Sequence, residues 1–530
     1  MLCTNCQCSF TSSLNTNVDT IPFPVPELLT SNDPPDEQQL GSIQDAVSHA
    51  RTNIQLLDDA IAPLQRRILA LQAKQASLQR FVDESAAIHM RRLPIEILQE
   101  IFMLSVPHYP TVTDYSVAPL LLGQVCRLWR EVSRTTPMLW SVLRMIETYQ
   151  PELFERLVQW LERSGDCSLD LKCDVDLTED PSEQESTIAW DMIIDCSSRI
   201  EHLDTEFVGD MLIPLIPGDG SHSLTRLRSL RVYQPLEIPP SSSYPGMYWL
   251  KDRAPHLSVC HLTFILYDRF ALPSAQLTTC TLECVPIAQF AEFLLESVNL
   301  VDCKVKIMSE GSPRDAPFVR HTRLKKFTVH SSLSQHDQGL SIIFTYLELP
   351  SLNNLSWITP SDVSLSEDGA VWLEDALLSF IRRSRCTLSR LCIPGGLYEE
   401  TILQLLPTVP HLVELAVAPL PRYECPHRLM QRLTLAADRE SLVRKLERLL
   451  LIGDWGRCEC AGKHVLRAIE SRIAPPGDDL VGGSRLKKLS LSFNLVARFP
   501  IRSEFREKLD RYAERGLIYE EWRWDAHQLW

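Results

Sequence analysis

The sequence predicts an α/β protein in three parts: a long heptad-patterned helix, a small block of three helices, and an α/β solenoid of irregular repeats. Three observations carry that prediction. Apolar residues recur at alternating steps of three and four from Val47 to Val82. A proline-initiated apolar helix and two tryptophans then crowd into residues 90–146. Beyond them, a motif of three apolar residues, separated by two residues and then by one, returns repeatedly toward the C-terminus.

Residues 1–36 are polar at first and then proline-punctuated (IPFPVPELLTSNDPPDE), the composition of a disordered tail. They lack the basic flank and apolar stretch of a secretory signal. Residues 37–89 carry Val47, Ala50, Ile54, Leu57, Ile61, Leu64, Ile68, Leu71, Leu78 and Val82 at a and d positions, with only Gln75 interrupting the seam. This reads as one coiled-coil-like helix. Pro63 inside it removes a hydrogen bond at a cost of about 3 kcal/mol, so a kink or break is expected near Ala62. The seam has two outlets: a homo-oligomer paired through residues 43–82, or a helix folded back on its own chain.

In residues 90–146, RRLPIEILQEIF places Pro94 at a helix start, where its missing N–H does no harm, and Glu96 in the first turn. Ile97 with Ile101, and Leu98 with Phe102, lie four apart and build an apolar face. A loop follows in VPHYPTVTDYSVAP. In LLLGQVCRLWREV, residues Val125, Leu128, Trp129 and Val132 fall at i, i+3, i+4 and i+7, one face of a second helix. Thr136 is a candidate N-cap for a third, begun by Pro137 and carrying Leu139, Trp140 and Leu143. A unit so small buries little surface by itself and would be better placed against a partner.

Residues 147–500 alternate. PELFERLVQWLER and STIAWDMIIDCSSR read as helices, and CSLDLKC and IEHLDTEF as strands. The three-residue motif occurs at Leu227-Leu230-Val232, Leu277-Cys280-Leu282, Leu324-Phe327-Val329 and Leu352-Leu355-Trp357. It continues at Leu388-Leu391-Ile393, Leu412-Leu415-Val417, Leu446-Leu449-Leu451 and Leu486-Leu489-Leu491. Such a strand turns alternate apolar side chains inward and cannot bury them without a stacked neighbour, which is the logic of a leucine-rich repeat. Helical stretches such as AVWLEDALLSFIRR and EETILQLLP would cover the outside. The spacing is irregular for that class. Residues 501–530, with the aromatic LIYEEWRWDAHQLW, read as a C-terminal cap.

Composition narrows the function. The net charge of −15, from 53 basic and 68 acidic side chains, argues against nucleic acid as a partner. The absence of a long apolar run argues against a membrane segment. The 16 cysteines form no regular framework, which suits reduced thiols in the cytoplasm or nucleus. Cys3, Cys6 and Cys8, and separately Cys458, Cys460 and His464, each fall short of a four-ligand zinc set. GRCECAGKH fails as a phosphate loop in both spacing and final residue. No catalytic motif is present, so the expectation is a non-enzyme without cofactor or metal.

The block at 90–146 resembles the F-box. The family motif is matched by Leu93-Pro94, Glu96-Ile97-Leu98, Ile101-Phe102, Val125-Cys126-Arg127-Leu128-Trp129 and Leu139-Trp140, in order. The loop from Pro107 to Pro119 is longer than in the short F-box form. With a heptad helix before it and irregular leucine-rich repeats behind it, the chain looks like the large F-box set of mushroom-forming fungi. The resemblance implies a substrate receptor of an SCF-type ubiquitin ligase. Leu93, Pro94, Ile97, Leu98, Ile101, Phe102, Val125, Cys126, Trp129, Leu139 and Trp140 would form or support the surface for a Skp-type adaptor, and through it a cullin. The repeats would hold a target protein. Trp129 is expected to knit the helices together, while Trp140 can serve either core or interface. The alternative is a non-catalytic repeat scaffold that assembles through the heptad helix.

Overall fold

The computed structural model describes residues 21–30, 34–90, 92–146, 151–174, 194–206, 224–233, 250–263, 272–308, 316–331, 339–358, 367–393, 397–417, 427–435, 441–452, 459–473, 483–493 and 503–523. Most of the expected tail, including Cys3, Cys6 and Cys8, lies outside them, as does Cys458. The chain divides into two compact units, residues 1–98 and 99–530.

The first unit is dominated by α1, Glu37–Met90, a helix of 54 residues. The expected break at Ala62 is absent, and the helix runs through Pro63. A proline forfeits one i→i−4 bond, here the one Asp59 O would accept, and a helix this long retains bonds on either side of the gap. Most of its heptad residues are exposed, among them Ile54 (58 %), Ile68 (55 %) and Leu71 (59 %).

The second unit is an α/β structure built on one long parallel sheet. Its early strands are β1 (Val142–Ile146), β2 (Leu169–Asp174), β3 (Ile200–Glu206) and β4 (Ser229–Tyr233). Then come β5 (Val259–Thr263), β6 (Thr279–Pro286), β7 (Asp302–Met308) and β8 (Val319–Arg320). The later ones are β9 (Lys326–Ser331), β10 (Leu347–Glu348), β11 (Asn354–Ile358) and β12 (Arg390–Ile393). Last are β13 (Glu414–Val417), β14 (Arg448–Ile452), β15 (Lys488–Phe493) and β16 (Ile518–Arg523). Fourteen of them hydrogen-bond in chain order, while β8 and β10 pair separately. Each strand lies beside its predecessor, so the sheet grows one step per strand–connection unit rather than folding back through itself.

The register explains the motif. One inward row runs Leu143, Leu171, Leu203, Leu230, Cys260, Cys280 and Cys303 across β1–β7. It continues as Phe327, Leu355, Leu391, Leu415, Leu449 and Leu489. Neighbouring strands stand about 4.8 Å apart, so each side chain packs directly on the next. In all eight recognised copies the three motif residues are at most 4 % exposed. The two longest gaps in the motif series are filled by copies that sequence reading passed over. They are Leu257-Cys260-Leu262 on β5 and Leu300-Cys303-Val305 on β7, all buried. A third, Ile200-Leu203-Thr205, lies on β3 and is likewise buried.

Helices stand where amphipathic spacing placed them. Helix Pro151–Arg163 matches PELFERLVQWLER, and helix Glu367–Ser384 contains AVWLEDALLSFIRR. Most of STIAWDMIIDCSSR falls outside the described residues; its described end includes the 3-10 turn Ser197–Arg199. The C-terminal segment supplies β16, which pairs with β15 as the last strand of the sheet.

Candidate functional site

The motif-bearing residues fold as α2 (Ile95–Ser105), α3 (Leu122–Val125), α4 (Arg127–Arg134) and a 3-10 turn, Pro137–Trp140. α2 separates two apolar pairs that the sequence placed together. Leu98 and Phe102 are fully buried, whereas Ile97 (47 %) and Ile101 (37 %) face solvent with Leu104 (87 %). Positions 97, 101 and 104 form one helical stripe, so α2 buries one apolar face and leaves another unpartnered.

The expected second helix is broken. Cys126 is extended (φ −158°, ψ 174°), and its Sγ accepts a 3.5 Å hydrogen bond from Trp129 N. It therefore caps α4 in the manner usually left to Ser or Asp, and ends α3 one residue earlier. The break turns Val125 outward (55 % exposed) instead of aligning it with Val132, which is buried. Leu128 is 40 % exposed, and half-buried Trp129 lies against Phe102 with ring centroids 4.8 Å apart. Gln99 Nε2 donates to Thr136 Oγ1 (3.1 Å), a second tie between α2 and the end of α4.

The third helix is only the single 3-10 turn. Thr136 does occupy its N-cap position but makes no side-chain cap; its hydroxyl donates back to Val132 O at 2.7 Å. Leu139 and Trp140 are buried. Trp140 Nε1 donates to Ser133 O (2.8 Å), and its ring meets Trp160 edge-on at 4.9 Å. Trp160 lies on α5, Pro151–Arg163, which ends through Gly165 in the left-handed region (φ +52°) that favours glycine. Trp140 also stands three residues before Leu143 and five before Met145, the spacing of the strand motif. It is thus a core residue of the helical block and of the first strand unit together.

The long loop between α2 and α3 packs on the start of the sheet. Arg144 N donates to Pro110 O (2.8 Å), and Tyr109 OH donates to Asp170 Oδ1 on β2 (3.2 Å). Burial, with the Asp170 charge adding to it, pushes the Tyr109 phenol up to about 12. Burial likewise raises the Asp170 carboxyl above its ordinary value.

The outward face of the sheet is laddered with ion pairs between neighbouring strands. Arg231 meets Asp204 (3.7 Å), Lys326 meets Asp302 (3.1 Å), and Glu414 takes both Arg390 (3.1 Å) and Arg448 (2.8 Å). Lys488 and Glu520 pair at 2.7 Å, and Arg144 pairs with Asp174. Exposed pairs contribute about 0–1 kcal/mol each, so their weight lies in surface pattern more than stability.

Leu93 is half-buried and Pro94 and Cys126 are exposed, completing the eleven residues named from sequence. Cys460 and His464 lie on helix Glu459–Glu470, and no group of three or more His, Cys, Asp or Glu residues is placed to hold a metal among the described residues. No described helix is long and apolar enough to cross a membrane. Comparison with models of known protein families and with curated proteins finds no match for this chain.

Proposed function

We propose that this chain is the substrate-recognition subunit of an SCF-type ubiquitin ligase, binding a Skp-type adaptor through residues 93–140 and a target protein through its repeat domain. The observation that carries the reading is the unpartnered apolar stripe of α2, Ile97, Ile101 and Leu104, beside a face on which Leu98 and Phe102 are fully buried. Val125, Leu128 and Met138 (61 % exposed) add apolar surface on the segments that follow. The sequence resemblance to the F-box falls on these same elements. Exposed Ile97, Ile101 and Val125 would touch the adaptor, whereas Leu98, Phe102, Leu139 and Trp140 would act by holding the block together. Stacked repeats would present the charge-laddered sheet face to the target. The protein's contribution would be proximity, holding a target lysine near a ubiquitin-charged enzyme, without chemistry of its own.

The test is co-purification of the full chain with a Skp-type adaptor, comparing the parent with Ile101→Glu and Leu104→Glu. Both positions are exposed, so thermal stability should change by no more than about 0.5 kcal/mol. Loss of an interface anchor costs about 2 kcal/mol or more, roughly a thirtyfold weaker complex. Parent-like binding by both variants rejects the placement. Failure of the well-folded parent to bind rejects the receptor reading. One observation favours a second reading, a scaffold assembled through α1: its heptad residues are exposed along the helix. Parent chains that are dimeric by light scattering but do not bind the adaptor would support that scaffold instead.

A further inference from the structure

A cavity of about 330 Å³ lies between α4, α5 and the loop before α3. Arg130 and Arg134 reach it from successive turns of α4, and Arg156 and Arg163 from one face of α5. Among the described residues no Asp or Glu lines it, although the chain as a whole carries a net charge of −15. Three of the four guanidinium groups are held in place by neutral partners. Arg130 Nε donates to Gly123 O (2.7 Å). Arg163 sits 4.6 Å from the Trp140 ring centroid, with Nη2 3.5 Å from Gln159 Oε1, and Arg156 sits 5.4 Å from that of Tyr115.

Four like charges converging on a partly enclosed space repel one another, and the repulsion grows as water is excluded. Arg163 registers it: burial first, and then the Arg134 charge, lower its pKa, with Glu162 offsetting part of the effect. A second observation points to a missing acceptor. Trp160, 2 % exposed, lines the same cavity, and its buried Nε1 has no hydrogen-bond partner among the described residues. Buried donors are rarely left unmet. Forked guanidinium donors match the oxygens of phosphate, and the volume sits at the small end of ligand pockets.

We propose that this cavity binds a small phosphate-bearing molecule, its oxygens held by Arg130, Arg134, Arg156 and Arg163 and by the indole N–H of Trp160. The site stands apart from the adaptor-binding reading and does not depend on it. Its occupant would tie the helical block to α5, because the cationic donors come from both sides.

The experiment titrates the full-length chain with sodium pyrophosphate at constant ionic strength, following tryptophan fluorescence and thermal unfolding, with sodium chloride as the control. The expected result is a saturable response to pyrophosphate that chloride does not reproduce, with a rise in melting temperature. Arg134→Gln and Arg156→Gln, both at exposed positions and so compatible with folding, should each weaken binding about tenfold or more. Arg134→Lys should recover only part of it, because the charge returns without the fork. Inorganic phosphate and a nucleoside diphosphate form two further arms. Tighter binding of either than of pyrophosphate supports the site and identifies the phosphate source. No saturable response at millimolar concentration overturns the proposal, as does an unchanged response in both Gln variants. Binding of a phosphoserine peptide at these arginines without any binding of pyrophosphate also overturns it, in favour of a protein partner.

Discussion

Replacing Trp140 with alanine should destabilise the second unit by about 3–5 kcal/mol, the usual cost of truncating a buried large aromatic. The structure gives the parts of that figure. Trp140 is 2 % exposed. Its side chain therefore withdraws about 150–250 Å² from water, or roughly 4–6 kcal/mol at 25 cal/mol/Å² as an upper bound. Two specific contacts sit inside that total: the Nε1 bond to Ser133 O and the edge-on packing with Trp160. Trp140→Phe separates them. It keeps an aromatic ring against Trp160 but leaves Ser133 O without its donor, so it should cost about 1–3 kcal/mol. Urea unfolding followed by far-UV circular dichroism reads both values from shifts in midpoint at constant slope. An alanine variant that unfolds at the parental midpoint would refute the shared-core assignment. A phenylalanine variant as damaging as alanine would refute the division between packing and hydrogen bond.

Three further outcomes are expected. Cys126→Ala should lower stability by about 0.5–1 kcal/mol by removing the α4 cap, whereas Cys126→Ser, offering a stronger acceptor, should match or exceed the parent in thermal melts. Tyr109 should ionise near about 12, against about 10 for an unfolded tyrosine, read as the difference in alkaline absorbance between the parent and Tyr109→Phe. Because the folded state holds that proton longer, its stabilising contribution is present below about pH 10 and fades as pH rises toward the folded value, so urea midpoints of the parent should approach those of Tyr109→Phe there. In the native protein a thiol reagent should modify exposed Cys126 while sparing the buried Cys260, Cys280 and Cys303, which should react only after denaturation.

Sequence patterning exposed the sheet better than the site. The strand motif was legible because its three inward positions share one spacing whatever the connection length, and the parallel register preserves that spacing from strand to strand. The copies on β5 and β7 carry cysteine at Cys260 and Cys303 in the inward row, as the recognised copy on β6 does at Cys280. Buried thiols behave there as small hydrophobes, and burial raises the Cys280 and Cys303 pKa values well above the ordinary range. The helical block was harder for a local reason. Val125, Leu128, Trp129 and Val132 satisfy helical periodicity, which describes side-chain spacing and says nothing of a sulfur acceptor that can halt the backbone between them. Pro63 shows the opposite error, a local rule overridden by the length of the helix around it. The arginine cavity left no trace in any window, because α4 and α5 bring its members together from separate stretches of chain.

The long loop and Trp140 bear on the same problem. For the receptor proposed above, proximity would require a fixed relation between the block at residues 99–140 and the sheet, since a loose joint would spread a bound target over a larger volume. Within residues 99–530 that relation is set twice. Trp140 belongs to the 3-10 turn and also stands at motif spacing from β1, so turning the block relative to the first strand would expose a buried indole and break its bond to Ser133. The loop then adds Pro110 to Arg144 and Tyr109 to Asp170 on the neighbouring strands. These hydrogen bonds act across the joint at a distance from Trp140, and two separated attachments resist rotation where one would act as a pivot. The loop thus fastens the block to β1 and β2 through residues that follow α2 closely, Tyr109 and Pro110.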